Sequence, residues 1–249
     1  LSPFDHPVVS QRYFFGRAGA PRRPLTVQAN GHELVCAAHP TDPAAPWLVH
    51  FHGNGELASD YEADLPHTFG QLGLNLLFAE YRGYGASSGT PRLAAMLDDV
   101  EHVLAATGAP PERCLVFGRS IGSIYAIELA SRRPEVAGLV LESGIHDVLE
   151  RIILRAQPRE LGVTLEELRA EDARLFDHAS KLSAFPNPCL LLHARGDHLV
   201  DVTHAQRNAA AAPDARLLTL PRGDHNSIMY ANMDAYFGAL TSLVEELFG

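Results

Sequence analysis

The pattern "GRSIG" (118–122) centres a serine between two glycines, G-x-S-x-G, directly after the apolar run "CLVF". In this arrangement a strand turns sharply into a helix, and the small flanking residues let a strained backbone lift the serine hydroxyl above the sheet. Ser120 is therefore expected at a helix N-terminus, where free N–H groups and the helix dipole favour negative charge. A serine hydroxyl attacks an acyl carbon only when a histidine accepts its proton and a carboxylate fixes that histidine's tautomer. His225, in "PRGDHNS", lies after the last strand-like run, and Asp197, in "HARGDHLV", lies just past the run before it. The chain order Ser120, Asp197, His225 is the Ser, acid, His order of hydrolases built on this turn. Asp201 and Asp224 compete for the acid position: Asp201 falls where a helix cap is expected, and Asp224 is the immediate neighbour of His225.

Acyl transfer also needs two fixed donors for the oxyanion, and losing one typically costs on the order of 100- to 1000-fold in rate. The N–H of Ile121, next after the nucleophile, supplies one. The glycine-rich turn in "HFHGNGE" (50–56) ends another strand, and the N–H of Asn54 is assigned as the second donor, with Gly55 as the alternative.

Other chemistry-bearing patterns take plainer readings. "GYGASSG" (83–89) is spaced G-x-G-x-x-x-G, so turn geometry accounts for its glycines better than a phosphate cradle does. His193, His198 and His204 lie close in sequence, but neither H-E-x-x-H nor a Cys/His ligand spacing is present, and no metal or cofactor is expected. His50 and His52 alternate along a strand and so face opposite sides. Arg119, beside the nucleophile, is expected in an ion pair with a strand-end carboxylate such as Glu80 or Glu142; attraction of an acidic substrate is its other reading.

These residues need a scaffold, and the hydropathy pattern supplies one. Short aliphatic runs alternate with segments of helical period, which predicts an α/β fold: a mostly parallel sheet with helices on both faces. Asn30-Gly31 splits 24–40 into a hairpin that forms an antiparallel edge. Further strands are predicted over 47–53, 74–83, 113–118, 136–142, 188–196 and 215–221, giving about eight in all. Helices are predicted over 57–72, 91–108, 121–133, 203–212 and 227–248. Segment 143–185 is charged, helix-prone and too long for an ordinary crossover, so it is expected as a helical cap inserted into a single domain spanning 1–249.

A chain of 249 residues with 46% hydrophobic and 20% charged residues can bury a sizeable core as one globular domain. A net charge of -10 without any basic run works against nucleic acid or anionic lipid as partners. Cys36, Cys114 and Cys189 are odd in number and far apart, so buried reduced thiols and a cytoplasmic compartment are expected. No apolar stretch reaches the roughly 18 residues of a membrane span. The chain opens at Leu1 rather than Met, which leaves room for an anchor or leader ahead of it.

With "FHGNGE", "YRGYGASSGTP", "GRSIGS", "HARGDHLVD" and "GDHNS" in this order between residues 51 and 227, the sequence resembles the α/β-hydrolase superfamily. Within it, the likeness is to the Bem46-like group that includes the ABHD13 and ABHD17 types of serine hydrolase. The resemblance implies Ser120, Asp197 and His225 as a catalytic triad, with a helical cap shaping the acyl pocket. His193-Ala194 stands where the group usually has His-Gly, a change confined to the local turn. The group's depalmitoylases carry a cysteine-rich lipidated N-terminus, and nothing like it precedes "FDHPVVS", so depalmitoylation is not carried over. The expectation is a cofactor-free serine hydrolase that cleaves a small-molecule or lipid-like acyl ester or thioester. An amidase or peptidase on the same triad, and a ligand receptor or scaffold that has lost turnover, are the alternatives.

Overall fold

The computed structural model describes residues 2–63 and 65–249. Its strands are β1 (Pro24–Ala29), β2 (His32–His39), β3 (Trp47–Phe51), β4 (Asn75–Ala79), β5 (Cys114–Arg119), β6 (Gly138–Glu142), β7 (Cys189–Ala194) and β8 (Ala215–Leu220). They form one sheet in the order β1-β2-β4-β3-β5-β6-β7-β8. The β1–β2 hairpin turns on Asn30 and Gly31 with φ of 49° and 80°, the left-handed pair that a two-residue hairpin loop requires. β2 runs antiparallel to β4, and every pairing from β4 through β8 is parallel. All residues of β4, β6 and β7 are buried, which is why these strands read as continuous apolar runs rather than alternating ones.

The helices are α1 (Pro7–Tyr13), α2 (Leu65–Gly70), α3 (Val100–Ala105), α4 (Gly122–Arg132), α5 (Val148–Ile153), α6 (Leu165–Leu175), α7 (His178–Ser183), α8 (Val202–Ala211), α9 (Ile228–Ala231) and α10 (Met233–Phe248). The sheet separates two apolar cores, and successive strand residues divide between them. Val49 and Val116 join the core that holds α3 and α4, whereas Leu48 and Phe117 join the core that holds Phe69 of α2 and Leu240 of α10. Cys36, Cys114 and Cys189 are free and buried, and burial pushes the three thiols up to about 12, 11 and 12. Among the described residues no helix is long and apolar enough to cross a membrane.

Three helices depart from the predicted bounds, two of them where a side chain bonds backbone at the point of departure. The 91–108 segment begins its helical turns late, as a 3-10 turn at Ala95–Asp99 followed by α3, because Asp5 from the N-terminal segment accepts the N–H groups of Ala94 and Ala95 at 2.9 and 3.1 Å. The 57–72 segment is a 3-10 turn (Ala58–Glu62) and then α2. The 227–248 helix breaks at Asn232, whose side-chain amide donates to the carbonyls of Arg222 and Ile228, both at 2.8 Å. No element was expected before residue 24, yet α1 packs there with Val9 and Tyr13 buried.

Between β6 and β7 stand α5, α6 and α7, capped by Asp147, Thr164 and Asp177. α7 packs on α4 and α8 as part of the layer that covers the sheet. α5 and α6 meet each other and the N-terminal segment: Phe176 lies edge-on to Phe4 at 5.1 Å, and Arg12 reaches Arg155 O at 3.1 Å and Glu160 at 2.9 Å.

Candidate active site

β5 delivers its chain into a sharp turn at Ser120, whose φ of 53° is a left-handed conformation that a side chain rarely adopts. The Ser120 N–H donates to Glu142 O of β6 at 2.9 Å, which holds the strained residue against the neighbouring strand end. The two glycines of the motif answer to space. A Cβ on Gly122 would lie 2.0 Å from Phe51 O, and one on Gly118 would lie 2.6 Å from the Cα of Ser123. Ser123, a residue to which the sequence reading gave no role, donates its hydroxyl to Ser120 O at 2.6 Å and accepts the Ile145 N–H at 2.8 Å. It fastens the turn to the chain leaving β6.

The structure brings the three candidate residues together from three strand ends. His225 Nε2 is 2.9 Å from Ser120 Oγ, and His225 Nδ1 is 2.7 Å from Asp197 Oδ2. An ionised carboxylate can only accept, so Nδ1 carries the proton and Nε2 is left to accept from the serine hydroxyl. Asp197 Oδ1 takes the N–H groups of Leu199 and Val200 at 2.9 and 2.8 Å. Burial pushes the Asp197 carboxyl up, but the hydrogen bond and charge of His225 and the Val200 N–H outweigh it, and the group ends below its ordinary range. Ser120 is buried, with 8% of its surface left exposed.

Neither rival carboxylate reaches His225. Asp201 caps α8 by accepting the Thr203 N–H at 2.9 Å. Asp224 closes a local turn, accepting from the N–H groups of Asn226 and Ser227 at 3.1 and 3.0 Å and from the Ser227 hydroxyl at 2.7 Å.

Among the described residues, no protein acceptor occupies the N–H of Ile121 or of Asn54. The Asn54 side chain pins its loop to the N-terminal segment: Oδ1 accepts from Phe15 N at 3.0 Å and from the Tyr84 hydroxyl at 2.7 Å, and Nδ2 donates to Tyr13 O. The sequence offered no signal for that anchor, since its partners lie about 40 and 30 residues away along the chain.

Arg119 pairs with Glu142, as one of the sequence readings expected, and also with Glu56, at 2.9 and 2.6 Å. Glu80 instead meets His52 Nε2 at 2.8 Å. His50 points to the opposite face, among Tyr61, Phe78 and Phe117. His193 Nε2 bonds Val200 O at 2.8 Å, and His204 Nδ1 accepts the His146 N–H at 3.0 Å. Among the described residues no group of His, Cys, Asp and Glu converges as metal ligands. Gly83, Gly85 and Gly89 all have φ between 59° and 83°, as turn geometry requires, and Ser87 and Ser88 of the same loop accept the N–H groups of Val35 and Glu33. A cavity of about 190 Å³ opens beside Arg119, Glu56, Glu142 and Asn226, and none of the described residues lining it comes from 143–185.

This geometry supports proton transfer from a serine hydroxyl to a histidine, with a carboxylate behind it and backbone N–H groups beside it. The sequence model of the family described as Hydrolase_4, serine aminopeptidase, S33, matches residues 42–181. The chain is similar to the Escherichia coli K12 protein YfhR, at 27% identity over 203 residues that make up 78% of this chain and 68% of YfhR. It is also similar to human alpha/beta hydrolase domain-containing protein 17B, at 28% identity over 189 residues, 72% of this chain and 60% of that relative. Among solved structures, mouse alpha/beta hydrolase domain-containing protein 10 superposes with a TM-score of 0.72, covering 90% of this chain and 99% of that one at 16% identity, a likeness of fold.

Proposed function

The chain belongs to the Hydrolase_4 family of α/β hydrolases and is a hydrolase, and from that premise we propose that it cleaves a carboxylic ester or thioester through an acyl-Ser120 intermediate. The observation that carries this reading is the unbroken run of contacts from Ser120 Oγ to His225 at 2.9 Å and on to Asp197 at 2.7 Å, beneath a serine held at φ 53°.

Ser120 Oγ attacks the acyl carbon as His225 Nε2 takes its proton, and Asp197 stabilises the imidazolium that results. The oxyanion is held by the N–H groups of Ile121 and Asn54. Collapse expels the alcohol or thiol, protonated by His225. Water, deprotonated by the same nitrogen, then attacks the acyl-enzyme and frees Ser120.

In this reading residues 1–249 are one domain and 143–185 is its cap. The guanidinium carbon of Arg155 lies 5.2 Å from the Phe15 ring centroid, and Phe15 N donates to Asn54, which links the insertion to the oxyanion loop. Phe15, Leu154 and Leu199 are 48%, 66% and 52% exposed, and apolar surface on the segments around the site favours a lipid-like acyl group.

Labelling with a fluorophosphonate, followed by turnover of p-nitrophenyl esters from acetate to palmitate, tests the proposal in wild type and Ser120→Ala side by side. Label on Ser120 together with ester turnover that the substitution abolishes is the expected result. Absence of label overturns it. The description of the matched family as a serine aminopeptidase favours amide cleavage as the second reading, and turnover of an aminoacyl p-nitroanilide without any ester would establish it.

A further inference from the structure

We propose that Arg119 is a positioning residue for His225: one part-buried guanidinium ties the catalytic histidine's loop to the nucleophile turn and to the oxyanion loop. The inference rests on the serine-hydrolase reading above. It follows from where the three edges of the guanidinium point. Nη2 donates to the carbonyl of His225 at 2.9 Å and to Asn226 Oδ1 at 3.3 Å. Nε meets Glu142 at 2.9 Å, and Glu142 is the residue whose own carbonyl accepts the Ser120 N–H. Nη1 meets Glu56 at 2.6 Å, and the other oxygen of Glu56 accepts the Gly53 N–H at 2.6 Å and the Tyr61 hydroxyl at 2.5 Å. Tyr236 donates to the remaining oxygen of Glu142. The residue directly before the nucleophile thereby fixes the backbone of the residue that must take the nucleophile's proton.

Stability alone does not account for such a cluster. Burial works against the Arg119 charge, although the Glu56 and Glu142 carboxylates outweigh it and raise the guanidinium's pKa. Burial likewise pushes the Glu142 carboxyl up, against the pull of Arg119 and the Tyr236 hydroxyl. Apolar residues of similar volume commonly hold an interior as well as a buried ion pair does. They cannot aim a fixed donor at a chosen carbonyl, which a planar guanidinium does on three sides at once. The need for such aim is steep, because a misplacement of about 1 Å in a reacting group costs on the order of 100-fold in rate.

The cavity beside Arg119, lined also by Glu56, Glu142 and Asn226, makes a specific test available. Arg119→Ala should extend this space enough to admit methylguanidinium. Expected in Arg119→Ala is a fluorophosphonate labelling rate at Ser120 about 100-fold below wild type, near-native circular dichroism, and for any turned-over ester a fall in kcat with little change in KM. Methylguanidinium chloride should recover the rate at least about tenfold where sodium chloride of equal ionic strength does not, and Arg119→Lys should recover it only in part. A folded Arg119→Ala that labels within about threefold of wild type overturns the inference, as does a loss that methylguanidinium leaves untouched. If Arg119→Ala does not fold, Arg119→Lys decides: a folded Lys variant that labels about tenfold slower supports positioning, and one labelled like wild type refutes it. Wild-type protein that takes no label removes the serine-hydrolase reading itself, a result distinct from a labelled wild type matched by its Arg119 variants.

Discussion

At the scale of single residues, the site depends on contacts too close for any substitute. Gly122 is the sharpest case, because a methyl group there would press on the backbone oxygen of Phe51 at 2.0 Å, and backbone has no rotamer with which to yield. Gly122→Ala is expected to lower stability by about 1–3 kcal/mol, as overpacked cores do. It should also slow fluorophosphonate labelling of Ser120, since the strain must move either the turn or β3. Urea unfolding and labelling rates, measured on the same preparation, check both halves. The glycines and the serine were legible in the sequence because G-x-S-x-G encodes a local backbone shape. Ser123 was not assigned a role, for its hydroxyl acts on Ser120 O and on Ile145 N, and the second partner is 22 residues away.

Elements place the competing carboxylates, and so discriminate between them. Asp197 sits past β7 with its side chain turned to His225, whereas Asp201 begins α8 and turns its side chain to Thr203 N. The two should therefore separate cleanly. Asp201→Ala is expected to cost about 0.5–2 kcal/mol, the value of a helix cap, with labelling of Ser120 unchanged. Asp197→Asn is expected to lower kcat on the order of 10⁴-fold, because an amide donor at that place selects the wrong histidine tautomer. Parallel thermal melts and labelling assays read the two effects, and a capping variant that loses label would reverse the assignment. Helix bounds were less legible than strands. A buried parallel strand announces itself as an apolar run, but where the helical turns of 91–108 start and where α10 begins depends on Asp5 and Asn232 bonding to distant backbone.

The molecule as a whole carries a pH response in its interior. His178, the first residue of α7 within the insertion, is buried, its Nδ1 donates to Ile145 O at 2.9 Å, and among the described residues its Nε2 has no partner. Burial, with the nearby Lys181 charge adding to it, lowers this imidazole from 6.5 to about 3. The unfolded chain therefore binds a proton over that interval while the folded chain does not, and stability falls as pH drops through it. His178→Asn keeps a donor for Ile145 O and removes the titration. Between about pH 6 and 4 its unfolding free energy should change less steeply than wild type by up to about 1.4 kcal/mol per pH unit, read by urea unfolding across the range. Equal slopes would mean that His178 accepts a proton in the folded state.

By itself the sequence determined which residue types could perform acyl transfer, their order along the chain, and the mostly parallel sheet that carries them. Those are properties of local pattern: a turn that only glycine and serine fit, apolar runs of strand length, and an Asn-Gly hairpin. The tertiary structure decided the rest. It turned Asp197, and neither Asp201 nor Asp224, to His225, pinned the Asn54 side chain to Tyr13, Phe15 and Tyr84, and gave Arg119 two carboxylates and a carbonyl from three separate segments. These outcomes depend on which loops the sheet order brings to a common edge, and no local pattern encodes the distance between residues that lie tens to a hundred positions apart.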